Sequence, residues 1–322
     1  MSRRKLNRIP RIRRFEYLQD YLEAVKLGLS EKETEAKISQ RKREFETLKL
    51  QAIGRGRAFG SDAYQAGRLT PECRRMALHL GYVVRQGKEV TISETGLMLL
   101  ESEISAKKQR LSQDLVQTYE PALAFMDAFG RDEQAEYSLP MKKDARRFKE
   151  VAAKQGLPLD QMSFEVLRDT FHFIGLVNWF PYLIERERYH KVYSSSEMLQ
   201  GSAKPGRMTM RHGESLLQPR SVEQEGFRET LWKEYLAMTN YVPRRSALYS
   251  GLRDRVSYKL RISDEEFDEH TLMLLSGDER LRIVGSRGRI PYSKDTFAFL
   301  KNVPPVFEHQ IPVYLKMDVR KK

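Results

Sequence analysis

The side chains with the clearest chemical potential in this sequence are basic, and they occur in groups. The first group is an arm of fourteen residues without an acid. Its cations are Arg3, Arg4, Lys5, Arg8, Arg11, Arg13 and Arg14. Guanidinium and ammonium groups bind phosphate oxygens, and an arm that cannot neutralise itself favours such a ligand. We expect it to follow a nucleic-acid backbone, the alternative being a solvated tail.

A second basic group lies in residues 70–100, where the apolar period changes from helical to strand and back. Thr70 and Pro71 predict a helix start, and Ser93 predicts the cap of a later helix. The helical stripe is Cys73, Met76, Ala77 and Leu80, followed by a hairpin around Gln86-Gly87-Lys88. The opposite helix face carries Arg74 and Arg75, and the hairpin carries Arg85 and Lys88. We expect these four to contact DNA.

The same order of elements recurs twice. In residues 163–193, the pattern predicts a helix capped by Ser163 with Arg168, Asp169 and His172 on its exposed face, then a hairpin carrying Lys191. Trp179 in that hairpin is expected to be core. In residues 263–290, a Ser263 capping box opens an acidic helix, and Arg287 and Arg289 lie in a hairpin. Carboxylates repel phosphates, so this third unit favours protein contacts, although its hairpin arginines could follow a backbone.

Helix, hairpin and following helix in this order resemble the recognition helix and wing of the winged helix-turn-helix superfamily. The segments LGYVVRQGKEVTISETGLMLLES and LVQTYEPALAFM also resemble the DNA-recognition part of Type IIS restriction endonucleases over about residues 68–125. That resemblance implies base readout by Arg74, Arg75 and Arg168. No nuclease domain follows, so the implied activity would reside in another subunit.

Catalytic and metal-binding patterns are weak throughout the chain. The six histidines lack metal-ligand spacing, and Cys73 is the only cysteine. The best nuclease-like match, Glu35-Ala36-Lys37, falls in a charged helix. The glycines of residues 54–60 follow a helix and lack a Gly-Lys-Ser/Thr continuation. We expect no catalytic residue, no metal and no cofactor, with a nuclease of unrecognised site as an alternative.

Composition favours a folded, nucleic-acid-binding protein. The 322 residues carry a formal charge of +13, and 40% of them are hydrophobic. A single cysteine, the absence of a signal-like apolar run and the absence of a long apolar stretch predict a soluble, cytoplasmic, nucleoid-associated protein. The expected class is mainly α with small β-wings, as tandem winged helices.

The expected organisation is a basic arm (1–14), a first winged-helix module (15–110), a second (111–200), a basic linker (201–225) and a third winged-helix-like module with a C-terminal tail (226–322). The expected function is non-catalytic docking on double-stranded DNA, or reading of its sequence, within a prokaryotic defence or genome-maintenance complex. A protein partner would supply enzymatic activity, no membrane is involved, and a homodimer stays open. The structural alternative is a scaffold of a chromosome-organising or partition complex.

Overall fold

The computed structural model describes residues 9–52, 62–141, 144–157, 159–184, 187–199, 207–242, 245–277, 281–285 and 312–317. Within these ranges the chain is mainly helical, and its strands pair in small antiparallel sheets. The expected α+β class with a helical majority is therefore confirmed.

The helices and strands form three consecutive units along the chain. The first unit is α1 (Phe15–Lys26), α2 (Glu31–Ala52), α3 (Asp62–His79), β1 (Val83–Gln86), β2 (Glu89–Ile92), α4 (Glu94–Glu101) and α5 (Ile104–Thr118). The second is α6 (Glu120–Gly130), β3 (Glu136–Pro140), α7 (Ala145–Lys154), α8 (Gln161–Ile174), β4 (Val177–Ile184), β5 (Glu187–Ser194), β6 (Ser196–Met198), β7 (Met210–His212) and β8 (Ser215–Pro219). The third is α9 (Gln224–Met238), β9 (Ala247–Leu248), α10 (Tyr249–Leu260), α11 (Asp264–Gly277), β10 (Leu281–Gly285) and β11 (Pro312–Met317).

The first unit packs α1, α2 and α3 together, with the β1–β2 hairpin and α4 against α1. The predicted stripe on α3 is buried, and Ser93 caps α4 by accepting the Gly96 N–H at 3.0 Å. The predicted start of α3 at Thr70 was wrong, because the helix begins at Asp62 and includes Pro71. Proline inside a helix removes one backbone hydrogen bond, and burial of the apolar stripe of α3 offsets that cost.

Residues 112–129 do not form one continuous helix, because α5 ends at Thr118 and α6 begins at Glu120. Pro121 lies in the first turn of α6, where its missing N–H costs nothing. Tyr119 between the two helices is extended, and Pro121 has no N–H with which to continue the hydrogen bonding of α5 into α6. The break turns α6 toward α8, against which its aromatic side chains pack.

The second unit has the order helix, strand, helix, helix, strand, strand, from α6 to β5. Its sheet has the spatial order β3-β5-β4, with Val192 paired with both Tyr137 and Trp179. The cap of α8 is Asp160, which accepts the Ser163 N–H at 2.8 Å, so the predicted cap at Ser163 was three residues late. Gly175, at φ 90°, ends α8 in the left-handed conformation that glycine adopts without strain.

The third unit repeats this order from α9 to β11, with the corresponding sheet order β10-β11-β9. Ser263 caps α11 as predicted and accepts the Glu266 N–H at 3.1 Å. The C-terminal tail forms β11, which pairs with both β10 and β9. Residues 286–290, expected in the third hairpin, lie outside the described residues.

Two apolar cores hold these units. One core is shared by the first and second units, and the other begins at Phe227. The expected linker over residues 201–225 was wrong where the structure describes it, since β7 and β8 form a sheet with β6. Met210 and Leu217 are buried in the first core, which explains why this basic, serine-rich stretch folds. Residues 201–206 lie outside the described residues.

Candidate nucleic-acid interface

Arg75 lies on the solvent-facing side of α3, as the sequence predicts, and it has an acidic neighbour. Its guanidinium is 3.4 Å from Oε1 of Glu72, one helical turn earlier. The other carboxylate oxygen of Glu72 accepts the backbone N–H of Arg11 at 3.0 Å. Both Arg11 and Arg75 are exposed, so Glu72 brings the base of the arm beside α3.

Arg74 points in another direction, because one residue along a helix is a rotation of about 100°. Its guanidinium contacts Glu31 of α2 at 2.6 Å, and it also bonds the hydroxyl of Tyr21 on α1. Burial raises the pKa of Tyr21, so the phenol stays neutral and acts only in hydrogen bonding. Arg74 thus joins the three helices of the first unit, and only 38% of its side chain is exposed.

The β1–β2 hairpin presents Arg85 and Lys88 to solvent. The Nε of Arg85 donates to the carbonyl of Gly87 at 2.9 Å, which holds the side chain along the turn. His79, at the end of α3, contacts the Tyr119 hydroxyl at 3.0 Å. Burial, and then the charge of Arg75, lowers the pKa of His79, so the cations here are the arginines and the lysine.

The rest of the arm divides into three parts. Arg3, Arg4 and Lys5 lie outside the described residues. Arg14 is half-buried beside α1. Arg13 forms an ion pair with Glu165 of α8 and lies 4.0 Å from Asp169. The base of the arm is therefore attached to the second unit by Arg13 and to the first by Arg11.

The expectation that Arg168 lies on an exposed face of α8 was wrong. Its side chain is buried, lies 3.7 Å from the ring centroid of Trp179, and donates to Asp169 at 2.5 Å. Arg168 also bonds Nδ1 of His190. Burial and the charge of Arg168 lower the pKa of His190 to about 2, so this imidazole is a neutral acceptor. Trp179 is buried, as predicted.

His172, expected on the same exposed face, is buried as well. The reason is that α8 packs on more than its apolar stripe. Phe15 stacks on Phe173 at 5.5 Å, and Lys108 lies 5.1 Å above the same ring. A helix covered by neighbours on several sides has no separate polar face, and a 3.6-residue period alone cannot reveal that.

Lys191 lies within the β4–β5 sheet rather than at its tip. Its ammonium group is 3.2 Å from Glu136 and lies above the rings of Tyr182 and Tyr258, at 5.5 and 5.2 Å. Only 21% of the side chain is exposed. Sequence reasoning missed this cluster, because Tyr258 comes from a different unit and no local pattern predicts the contact.

The acidic start of α11 is partly internal. Asp264 and Asp268 lie 3.6 and 3.0 Å from the guanidinium of the fully buried Arg253. Asp264 also accepts from Asn178 of β4 at 2.9 Å and lies 3.5 Å from His172. Asp264 therefore joins the third unit to the second, while Asp268 stabilises the third unit internally. Arg287 and Arg289 lie outside the described residues.

Among the described residues, no group of three His, Cys, Asp or Glu side chains could hold a metal ion. Over the same part of the chain, every helix is too short or too polar to cross a membrane.

Comparisons with protein-family models, curated proteins and solved structures found no match to this chain.

Proposed function

We propose that the chain is a non-catalytic double-stranded DNA-binding protein built from tandem winged helices, and that its first unit contacts the DNA. The observation that carries this proposal is that Arg11, Arg75, Arg85 and Lys88 are all exposed on one small unit, with Glu72 holding Arg11 and Arg75 side by side. A helix followed by a basic hairpin suits a duplex, because the helix fits the major groove and the hairpin reaches the backbone.

The distribution of charge supports this assignment. Residues 1–119 contain 24 Lys and Arg against 15 Asp and Glu, which is nine of the thirteen net positive charges. Residues 120–224 contain 15 of each sign and are neutral. Seven of the nine net charges of residues 1–119 belong to the arm of residues 1–14. A polyanion is therefore attracted to the arm and the first unit more than to the second unit, and duplex binding is expected to centre there.

The second and third units support the winged-helix part of the proposal by topology. Both have the order helix, strand, helix, helix, strand, strand, and in both sheets the last strand lies between the other two. In both units, however, the helix before the last two strands differs from a DNA-reading helix. The helix α8 is buried, and the solvent side of α11 carries Glu265 and Glu269. We infer that these units orient the first and bind other proteins.

The test is duplex binding across a salt series. The variant Arg75→Ala/Arg85→Ala/Lys88→Ala removes three candidate contacts, and Lys149→Ala/Lys154→Ala/Lys233→Ala removes three exposed lysines elsewhere. Each phosphate contact contributes about 0.9 to the slope of log affinity against log salt. We expect the first variant to lower the slope by about 2 to 3 and the control to leave it unchanged. An equal loss of salt slope in both variants would mean that net charge alone, and not these three residues, accounts for duplex binding.

The non-catalytic part needs its own assay. Supercoiled plasmid incubated with the chain and Mg²⁺ or Mn²⁺ should stay intact, because the proposal places enzymatic activity in a partner. Metal-dependent nicking that is abolished by a carboxylate substitution would establish a nuclease instead.

A second candidate function is a scaffold of a DNA-organising or defence complex, and α11 favours it. Leu272 and Met273 are 50% and 54% exposed on this helix, on the same side as Glu265 and Glu269. Apolar side chains among acids form a surface that repels DNA and suits a protein. Charge reversal at Glu269 should then disrupt assembly with the partner while duplex affinity is kept or increased. Glu265 stays unchanged in this variant, because it pairs with Lys108 of α5 within the chain.

A further inference from the structure

The outer face of the β3-β5-β4 sheet carries a continuous row of aromatic rings. Tyr189, Tyr182 and Phe180 follow one another with centroids 5.9 and 6.1 Å apart. The row continues to Tyr258 of α10, 5.3 Å from Phe180, and to the buried Tyr193, 5.2 Å from Tyr258. These residues share a face because Tyr182 pairs with Tyr189 and Phe180 pairs with Lys191 across the strands.

A groove runs beside this row, between β4 and the helices α9 and α10. Its aromatic wall is formed by Phe180, Tyr182 and Tyr258, and its volume is about 480 Å³. Arg255 and Lys259 of α10 also line the groove, with 56% and 49% of their side chains exposed. The groove is therefore aromatic on one side and cationic at its opening.

The acids of the groove are withdrawn from its opening. Both cations of α10 pair with Glu234, whose side chain is only 6% exposed. Asp254, the other acid that lines the groove, is buried as well. On the sheet side, Lys191 occupies the space between Tyr182 and Tyr258. Solvent at the opening thus meets aromatic rings and positive charge, while the carboxylate lies beneath them.

We propose that this groove binds an unpaired segment of a nucleic-acid strand, with a base stacked on Tyr182 or Phe180 and a phosphate against Arg255 and Lys259. Aromatic rings stack on any base, and neighbouring cations follow the backbone, which is how sequence-independent single-strand sites are built. The site is separate from the proposed duplex contacts of the first unit and would make the chain a reader of duplex next to an opened strand.

The occupant follows from the chemistry of the wall. A paired duplex offers only stacked bases, whose faces cannot reach rings within a groove, whereas an unpaired strand exposes them. The contact between the second and third units buries only one end of the row. Arg261 and Tyr258 cover Tyr193, while Phe180 and Tyr182 remain partly exposed. The contact between the second and third units therefore does not explain why Phe180 and Tyr182, at the open end of the row, are aromatic.

The experiment measures fluorescence anisotropy of the full chain with a labelled twelve-nucleotide oligothymidine and, separately, with a 30-base-pair duplex. Tyr182→Ala should weaken oligothymidine binding by about 5- to 100-fold, while Tyr182→Phe, which keeps the ring, stays within about twofold. Duplex affinity should be the same in both variants. Arg75→Ala/Arg85→Ala/Lys88→Ala should give the opposite pattern, so failure of either site is visible without the other.

Photocrosslinking with a 5-iodouridine-containing strand gives an independent measurement that does not rely on a variant. Crosslinks at Tyr182, Phe180 or Tyr258 are expected. Unchanged oligothymidine affinity in Tyr182→Ala, or crosslinks confined to the first unit, would overturn the proposal. So would equal binding of free thymidine monophosphate, which would indicate a mononucleotide pocket, or loss of self-association in Tyr182→Ala, which would assign the groove to a second copy of the chain.

Discussion

The backbone N–H of Arg11 donates to Oε2 of Glu72 across 3.0 Å, so the arm enters the structure at the middle of α3. The second oxygen of the same carboxylate faces Arg75. One acid therefore places a main-chain segment and a guanidinium side by side, although sixty-one residues separate Arg11 from Glu72. The arrangement sets the position of the cations to which we assign duplex binding.

The neighbours Arg74 and Arg75 are expected to differ when each is changed to alanine. Arg75→Ala should weaken duplex binding at least about fivefold, with stability within about 0.5 kcal/mol, because its side chain is exposed. Arg74→Ala should lower stability by about 1 kcal/mol through loss of the Glu31 and Tyr21 contacts, with less than a twofold effect on binding. Urea unfolding and duplex titration of both variants check this, and equal binding losses would contradict it.

Arg168 is expected to act in stability and not in DNA readout. Arg168→Ala removes a buried cation from Trp179 and leaves Asp169 and His190 without their partner, which should cost about 3 kcal/mol or more. Arg146→Ala is a matched control, since that arginine also pairs with an acid on a helix but is 91% exposed, and it should cost less than about 0.5 kcal/mol. Urea unfolding of the two variants gives the comparison, and similar losses would contradict the burial argument.

Acid is expected to destabilise the protein through His190. Its pKa is about 2 in the folded chain and about 6.5 when unfolded, so only the unfolded state gains a proton as the pH falls below 6.5. The stabilising contribution is complete above 6.5 and is lost by about 1.4 kcal/mol per pH unit below it. Thermal unfolding between pH 7 and 4.5 should show a steeper fall for the native chain than for His190→Gln, and parallel curves would assign the effect to other groups.

The reactivity of the Cys73 thiol is expected to show whether α3 stays packed against α1. Its thiol is buried and lies 3.6 Å from the carbonyl of Tyr17, and burial raises its pKa well above the usual range. Thiolate is the reactive form, so a disulfide reagent should modify the folded chain very slowly and the unfolded chain at once. Rapid modification under native conditions would mean that α3 separates from α1.

Sequence patterns predicted most elements but few of their neighbours. The stripe ending at Leu80, the caps at Ser93 and Ser263 and the burial of Trp179 all follow from local periodicity and hydrogen bonding, and all are present. The exposure of Arg168 was predicted wrongly, because its side chain is covered by Trp179 of β4 and His190 of β5, which pack on α8 from outside its own segment. No single-sequence period encodes a contact of that range.

The candidate site was likewise predictable from local patterns only in part. Exposure of Arg75, Arg85 and Lys88 was readable from helix and hairpin registers. The role of Glu72 was not, because an acid in a basic helix carries no signal of the partner it will meet. Aromatic residues on alternate positions of β4 predict one sheet face, whereas the ring that Tyr258 adds comes from another unit.

The packing of α8 has a consequence for geometry beyond stability. Arg13 and Phe15 contact this helix at Glu165 and Phe173, and Asp264 of the third unit approaches it at His172. The first and third units are thus both attached to α8. If α3 holds a duplex and α11 recruits an enzyme, as we propose, that enzyme would act at a constant number of base pairs from the bound site.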